Sequence, residues 1–257
     1  MKPISELTCD QIKTIKLISF DSDGVLVKKG TELSQTPDGH FSQKTNFVSP
    51  SVLDKLILLK KRFHLVINSG RNSLYLSQIY QDILWDRVTL ISEVGAFLNG
   101  SGFCVQTEPL DNYEMETIIK IRAKLKKFIG DPRVKGFEPK TFLTTLHCHS
   151  EVPEVETIVR ESDPESRFYY WWNLEAYDIN SQKFTKINAL KKLISLMKIN
   201  PSEVMVAGNG INDRDSVTSE ILNISTDPAN LNTDDYGIEG EHLGGEKILD
   251  HLVKLIS

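Results

Sequence analysis

Short apolar runs alternate with helical segments at both ends of the chain. The runs at residues 15–20 and 64–68 have the length of buried strands, and a segment with helical spacing of apolar residues follows each along the chain. Near the other end, a run at residues 204–207 follows a helical segment at residues 186–197. Such alternation is typical of parallel strands, because the chain must cross back between them. We therefore predict an α/β fold with a Rossmann-like parallel sheet.

Residues 95–182 do not continue this alternation. They contain helical segments and strand-like runs in a different order, at residues 113–129, 142–149, 153–160, 168–172 and 175–179. We interpret residues 95–182 as an inserted α+β domain. The sheet domain is then split in sequence into residues 1–94 and residues 183–257.

The first part of the sheet domain contains a long segment with turn signals. These signals stand at Gly30 and at Pro37-Asp38-Gly39. A hairpin between two short strands would account for them. We predict a small hairpin flap at about residues 24–47.

The charge balance excludes several classes of partner. The 257 residues include 30 basic and 35 acidic side chains, which gives a net charge of −5 at pH 7. A generally basic surface for nucleic acid is excluded by this balance. No apolar run approaches the roughly 18 residues that a membrane span needs. We expect a small molecule as partner, with neither nucleic acid nor a membrane, and the sequence leaves a monomer or a homodimer open.

The cysteines indicate a reducing compartment. Cys9, Cys104 and Cys148 are odd in number and far apart, so they form neither a disulfide framework nor a closely spaced metal pair. No signal-peptide pattern stands at residues 1–10. We expect the protein to be cytoplasmic.

Polar residues with unusual chemistry stand where the predicted strands end. Asp21 and Asp23 follow the first strand, and Ser69 follows the second. The other members of this set are Lys186, Asn209, Asn212 and Asp213. In open α/β sheets, ligands bind beyond the carboxyl ends of the strands. Carboxylates, an amide, a hydroxyl and a cation together suit a hard metal ion with a phosphate group.

Four sequence motifs carry a resemblance to a known family. They are Phe20-Asp21-Ser22-Asp23-Gly24-Val25-Leu26, Ile67-Asn68-Ser69-Gly70-Arg71, Lys186-Ile187-Asn188-Ala189-Leu190, and residues 200–213. At these residues the chain resembles the haloacid dehalogenase superfamily. The motifs occur in the order found in that family and cover both ends of the chain, so the resemblance is specific.

The resemblance implies an enzyme that hydrolyses phosphoric monoesters with Mg²⁺ as cofactor. Asp21 would be the nucleophile, and Asp23 would act first as general acid and then as general base. The metal would be held by Asp21, the Asp23 backbone carbonyl and Asp213, with Asn209 at a fourth metal position. We therefore expect a phosphatase that forms an aspartyl-phosphate.

The remaining residues of the motifs would hold the phosphate or support the site. Ser69, Gly70 and Lys186 would bind the phosphoryl group. Asn212 would orient its neighbours by hydrogen bonds. Ser69 alone could equally be a helix cap, and the other motifs favour the phosphate role. We expect Arg71 to make a structural ion pair.

Asn209 departs from the pattern of the family, which usually has an acidic residue at this position. Asparagine keeps an oxygen donor but loses a charge, so we expect weaker Mg²⁺ binding. This leaves open a pseudoenzyme that binds phosphate esters without turnover. A mutase or phosphotransferase that passes the phosphoryl group to a sugar is a further alternative.

The inserted segment lies between the Ser69 and Lys186 motifs, which resembles a type-two cap. This cap is found in the Cof-like sugar phosphatases and in sucrose-, trehalose- and mannosylglycerate-phosphate phosphatases. The runs Ile91-Ser92-Glu93-Val94-Gly95-Ala96 and Leu174-Glu175-Ala176-Tyr177-Asp178-Ile179 resemble the sequences that flank it. The resemblance therefore implies a sugar phosphate as substrate.

Charged side chains in the inserted segment are candidates for substrate contact. They are Glu138, Lys140, His147, His149 and Glu175. On a strand, the two histidines would share one face. We favour substrate contact over a zinc pair because no further cluster of metal ligands is visible in the sequence.

Overall fold

The structure is a computed structural model that describes residues 1–238 and 244–257. The strands, in chain order, are β1 Lys2–Pro3, β2 Leu17–Phe20, β3 Thr31–Gln35, β4 Phe41–Thr45, β5 His64–Asn68, β6 Val88–Ser92, β7 Phe97–Gly100, β8 Phe103–Gln106, β9 Val134–Glu138, β10 Thr144–Cys148, β11 Phe168–Trp172, β12 Ala176–Ser181, β13 Val204–Gly208, β14 Leu222–Ser225 and β15 Tyr236–Gly237. The α-helices are α1 Cys9–Ile12, α2 Pro50–Lys60, α3 Ser73–Ile79, α4 Asn112–Leu125, α5 Glu154–Ser162, α6 Lys186–Met197 and α7 Gly244–Ile256.

The chain divides into two compact units. The core unit comprises Met1–Gly30, Asn46–Thr107 and Thr185–Ser257. The inserted unit comprises Thr31–Thr45 and Glu108–Phe184. Each unit is therefore built from segments that are separated in the sequence.

The core unit contains a large, mainly parallel sheet with the strand order β1-β15-β14-β13-β2-β5-β6-β7-β8. The strands from β1 to β6 in this order run parallel to their neighbours. Phe20 of β2 pairs with Ile67 of β5 on one side and with Ala207 of β13 on the other. The segments after these three strands consequently leave the sheet at one edge. The predicted α/β fold is confirmed.

Helices cover both faces of this sheet. Successive residues of a strand point to opposite faces, so neighbouring residues pack against different helices. Ile18 of β2 belongs to an apolar cluster with Leu56 of α2 and Leu249 of α7. Its neighbour Leu17 belongs to another cluster with Leu190 of α6. Strands buried on both faces explain the short, continuous apolar runs of the sequence.

β7 and β8 extend the core sheet rather than open the inserted unit. After β6 the chain reverses through the 3₁₀ turn Glu93–Gly95, so that Leu98 pairs antiparallel with Ile91. Gly95 has a φ of +96°, and a β-carbon there would clash with the Thr185 carbonyl. The core unit thus continues to Thr107, whereas the sequence suggested a boundary after residue 94.

The inserted unit contains an antiparallel sheet with the strand order β11-β12-β10-β9. Leu146 and Tyr177 point to one face, where they pack in an apolar cluster with Ile118 of α4 and Val155 of α5. Residues one position away in each strand, such as Thr145, point to the opposite face. The helices therefore cover one face of the sheet, and the other face carries polar side chains.

The hairpin of β3 and β4 also belongs to the inserted unit. The predicted hairpin is present, and its strands pair from Thr31 with Thr45 to Gln35 with Phe41. The Gln35 side-chain oxygen accepts a hydrogen bond from the Phe137 backbone nitrogen at 3.0 Å. Gly136 has a φ of +139°, and its missing side chain leaves room for Gln35. These contacts group the hairpin with β9, whereas the sequence suggested that it belongs to the sheet domain.

Among residues 1–238 and 244–257, no helix has both the length and the apolar character that crossing a membrane requires.

The three cysteines are free thiols in different surroundings. Cys9 and Cys104 are exposed, whereas Cys148 is buried. Burial raises the pKa of the Cys148 thiol to about 12. Because the thiolate is the reactive form, Cys148 is the least reactive of the three.

We expect iodoacetamide at pH 8 to label Cys9 and Cys104 in the folded protein and Cys148 only after unfolding in urea. Peptide mass spectrometry after timed quenching measures the labelling of each cysteine. Rapid labelling of Cys148 without denaturant would contradict the burial of β10.

Candidate active site

The sheet brings three polar segments to one edge. Asp21 directly follows β2, Ser69 directly follows β5 and Asn209 directly follows β13. These strands are neighbours and parallel, so their carboxyl ends lie side by side. Lys186 is the first residue of α6, whose start is capped by the Thr185 hydroxyl, which accepts from the Asn188 nitrogen at 3.1 Å.

Lys186 joins two of these segments through ion pairs. Its ammonium nitrogen lies 2.8 Å from Oδ1 of Asp21 and 2.8 Å from Oδ1 of Asp213. All three side chains are more than nine-tenths buried. Burial raises the pKa of Asp21 to about 7, although the Lys186 charge acts in the opposite direction. Burial alone would lower the pKa of Lys186, but Asp21 and Asp213 outweigh it and raise this pKa, so the ammonium stays charged.

The turn after β13 holds the Asp213 carboxylate. Oδ2 of Asp213 accepts hydrogen bonds from the backbone nitrogens of Asn209 and Gly210, each at 3.0 Å. A β-carbon on Gly208 would lie 2.6 Å from Cγ of Asp213, so only glycine leaves room for this arrangement. Asn212 lies in the same 3₁₀ turn, Ile211–Ser216, and is partly exposed.

The turn after β2 is held in the same way. Oδ1 of Asp21 accepts from the Ser22 backbone nitrogen at 2.7 Å. The Ser22 hydroxyl is hydrogen-bonded at 2.8 Å to the hydroxyl of Tyr80, and both groups are fully buried. Gly24 has a φ of +83°, and a β-carbon there would clash with the Asn209 amide. That amide nitrogen donates to the Asp23 backbone carbonyl at 3.0 Å.

Asp23 forms a two-point ion pair with Arg71. Nη2 of Arg71 lies 2.8 Å from Oδ1 of Asp23, and Nε lies 3.1 Å from Oδ2. The sequence suggested an ion pair for Arg71 but not its partner. The sequence places Arg71 two residues after Ser69, at the end of a central strand, but nothing in it marks Asp23 as the partner.

The Ser69 hydroxyl lies in a turn with Arg71. Ser69 is buried, and its Oγ accepts from the Arg71 backbone nitrogen at 3.2 Å. A hydroxyl that accepts one hydrogen bond can still donate its own hydrogen to a phosphate oxygen. At Gly70, a β-carbon would lie at an ordinary 3.5 Å from Val94, so space alone does not require this glycine.

The donor atoms suit a hard divalent cation. In the part of the chain that the structure describes, no three His, Cys, Asp or Glu side chains are grouped to hold a metal. The carboxylates of Asp21 and Asp213 and the Asp23 carbonyl nevertheless provide oxygen atoms on adjacent turns. Mg²⁺ is commonly bound through one or two carboxylates together with water and substrate phosphate, so this donor set fits it.

Comparisons with known proteins find a family model that matches part of the chain and solved structures with a similar fold. Residues 133–215 match a family model described as haloacid dehalogenase-like hydrolase. The C-terminal domain of trehalose-6-phosphate phosphatase from C. albicans superposes with a TM-score of 0.70 at 17% identity, over 99% of this chain and 98% of that one. Part of this chain is thus similar to haloacid dehalogenase-like hydrolases, and the whole chain shares the fold of that phosphatase domain.

Other solved structures share the fold. A trehalose-6-phosphate phosphatase related protein has a TM-score of 0.69 at 16% identity, over 93% of this chain and 98% of that one. The Aspergillus fumigatus trehalose-6-phosphate phosphatase has a TM-score of 0.62 at 16% identity, over 99% and 100% of the two chains. No curated protein sequence matches this chain. These solved structures share the fold of this chain.

The inserted unit carries a second polar cluster, on the sheet face opposite its helices. Nε2 of His147 lies 3.1 Å from Oε2 of Glu138, and the Lys140 ammonium lies 3.3 Å from the same oxygen. Lys140 also donates to the Thr145 hydroxyl at 2.8 Å, and Thr145 donates to Asp178 at 2.5 Å. We call these five residues the sheet-face cluster.

The structure brings together three of the five candidates from this segment but not the other two. His149 follows the end of β10 and is exposed, whereas His147 is buried, so the two histidines do not share the cluster. Glu175 is exposed in the turn between β11 and β12. Thr145 and Asp178 were missed, although Thr145 stands two residues before His147, which is the spacing of one strand face.

We expect Lys186→Met to lower the free energy of unfolding of the metal-free protein by about 3 kcal/mol, because it leaves two buried carboxylates without their cation. Urea unfolding at pH 7 measures this change. Lys191→Met is the matched control, since Lys191 is exposed on the same helix, and should change the value by less than about 0.5 kcal/mol. Equal stability of the two variants would contradict the structural role of Lys186.

Proposed function

We propose that this protein is a Mg²⁺-dependent phosphatase that hydrolyses a small phosphorylated metabolite, a sugar phosphate, through an aspartyl-phosphate on Asp21. The observation that carries the proposal is the buried Lys186 ammonium, 2.8 Å from both Asp21 and Asp213 on adjacent turns. A buried cation beside a nucleophilic carboxylate is suited to hold a phosphoryl group during its transfer. The trehalose-6-phosphate phosphatases with the same fold support the sugar phosphate.

In the first step, a carboxylate oxygen of Asp21 forms a bond to phosphorus. The bond from phosphorus to the ester oxygen breaks, and its electron pair goes to that oxygen, which takes a proton from Asp23 and leaves as an alcohol. In the second step, water attacks phosphorus while Asp23 takes a proton from it. The bond from phosphorus to Asp21 breaks, which releases phosphate and restores the carboxylate.

Other residues would hold the phosphoryl group during these steps. Lys186 would offset the charge of its oxygens, and the Ser69 hydroxyl and the Gly70 backbone nitrogen would donate hydrogen bonds to them. Mg²⁺, held by Asp21, Asp213 and the Asp23 carbonyl, would supply positive charge that offsets the repulsion between carboxylate and phosphate. Asn212 would support the turn that carries Asp213.

Asn209 supports a second candidate function, a protein that binds phosphate esters without turnover. Its side chain is neutral where the family usually has an acid, and its amide nitrogen donates to the Asp23 carbonyl. An acidic side chain there would add charge to attract a cation and could not donate this hydrogen bond when ionised. The two functions therefore differ in what Asn209→Asp should do.

We expect the wild-type protein to release phosphate from p-nitrophenyl phosphate in the presence of Mg²⁺, and Asp21→Asn to abolish this release. Asn209→Asp should lower the Mg²⁺ concentration needed for half-maximal rate, because it adds a negative charge. Phosphate release across a Mg²⁺ titration measures both effects. No turnover by the wild type together with turnover by Asn209→Asp would favour the binding protein. Transfer to an added sugar that exceeds phosphate release would indicate a phosphotransferase.

The sheet-face cluster would contact the sugar. Glu138, Lys140 and His147 are buried, charged or polar groups within one hydrogen-bonded network. Such groups bind hydroxyl groups with defined directions. Nδ1 of His147 is buried without a hydrogen-bond partner among residues 1–238 and 244–257. His149 and Glu175 are exposed and remain weaker candidates for substrate contact.

We expect Lys140→Met to raise KM for trehalose 6-phosphate or a hexose 6-phosphate at least about tenfold, because one charged hydrogen bond is lost. KM for p-nitrophenyl phosphate, which has no sugar, should stay within about twofold of the wild-type value. Lys120→Met, at an exposed position of α4, is the control and should change neither value. Equal effects of Lys140→Met on both substrates would contradict a sugar contact.

A cytoplasmic location and a monomeric or homodimeric state stay predictions from the sequence.

A further inference from the structure

Contacts of both the backbone and the side chain fix the position of Arg71. Its backbone nitrogen donates to the Ser69 hydroxyl at 3.2 Å, and its carbonyl accepts from the Glu93 nitrogen at 2.9 Å. Its guanidinium carbon lies 5.0 Å from the centroid of the Tyr75 ring, within the range of a cation–π contact. The side chain is only 11% exposed. The guanidinium therefore occupies a defined place next to the end of β5.

This guanidinium fixes the orientation of the Asp23 carboxylate. The two hydrogen bonds engage both carboxylate oxygens, one through Nη2 and one through Nε. A two-point contact of this kind sets the plane of a carboxylate as well as its position, which a lysine ammonium cannot do. Asp23 has a side chain that is 24% exposed, so without this contact it would be free to adopt other rotamers.

Proton transfer depends on this orientation. A general acid must reach the leaving oxygen at hydrogen-bond distance and with its proton aligned. We infer that Arg71 is a positioning residue that orients Asp23 for protonation of the leaving oxygen. The inference rests on the proposed phosphatase function and extends it to a residue outside those that hold the phosphoryl group and the metal.

Substrates with leaving groups of different basicity distinguish this role from a purely structural one. When the phosphorus–oxygen bond breaks, a weakly basic nitrophenolate can leave as an anion, whereas a strongly basic oxygen needs a proton from Asp23. Misorientation of Asp23 therefore slows esters of basic alcohols or phenols most. The kinetic constant to compare is kcat/KM, since it covers the steps up to alcohol release and excludes hydrolysis of the aspartyl-phosphate.

The experiment measures kcat/KM for p-nitrophenyl, phenyl and p-methoxyphenyl phosphate at saturating Mg²⁺. In Arg71→Gln, we expect the loss on p-methoxyphenyl phosphate to exceed the loss on p-nitrophenyl phosphate by about tenfold, since general acids contribute about 10²-fold or more. Arg71→Lys should show the same trend, because it keeps the charge but loses the second hydrogen bond. Arg160→Gln is the control, since Arg160 pairs with Glu156 at 2.6 Å on the surface of α5.

A double substitution tests whether Arg71 acts through Asp23. Asp23→Asn should show the same dependence on the leaving group, and adding Arg71→Gln to it should cause little further loss. The losses caused by substituting two residues that act through one another do not add. Thermal unfolding of each variant checks that it is folded. If Arg71→Gln does not fold, the dependence of kcat/KM on the leaving group measured for Arg71→Lys decides.

Equal losses on the three esters, or fully additive losses in the double variant, would overturn the inference. So would a rise in the inhibition constant of inorganic phosphate that accounts for the whole loss, because Arg71 would then bind the phosphoryl group. No turnover of any ester by the wild type would instead refute the proposed phosphatase and remove the basis of the inference. The two failures are thus distinguishable.

Discussion

A buried ammonium group holds two buried carboxylates together in the core unit. Lys186 lies at the start of α6, Asp21 at the end of β2 and Asp213 in the turn after β13. Taking three charges out of water is costly, and their mutual attraction offsets that cost only while all three are in place. The contact therefore acts as a constraint more than as a source of stability, because any displacement of one element leaves a buried charge without its partner.

The charges in this site also bear on what it can bind. When they are ionised, the two carboxylates exceed the one ammonium by a single negative charge, and Asp23 is balanced by Arg71. An acid in place of Asn209 would add a second negative charge. Compared with a site that has an acid at this position, the site of this protein thus carries less negative charge before a cation binds. The smaller charge weakens both the attraction for a cation and the repulsion of a phosphate.

Much of the core could be predicted from sequence, because buried parallel strands leave continuous apolar runs at residues 64–68 and 204–207. The polar residues that follow these runs could also be predicted, because they mark where the strands end. Two contacts could not be predicted from the sequence. The pairing of Arg71 with Asp23 joins residues 48 positions apart, and Leu98 joins β6 only because the chain reverses at Gly95. Both depend on tertiary geometry that leaves no periodic signal in the sequence.

The division of the core unit into three segments has a consequence for synthesis on the ribosome. Every segment of the inserted unit has been made once Phe184 is complete, whereas β13 and Asp213 have not yet been translated. β2, in the centre of the finished sheet, therefore cannot pair with β13 until more than 180 further residues have been synthesised. Contacts of such long sequence separation form slowly. The Asp21 carboxylate is thus among the first groups of the site to be synthesised and among the last to acquire its surroundings.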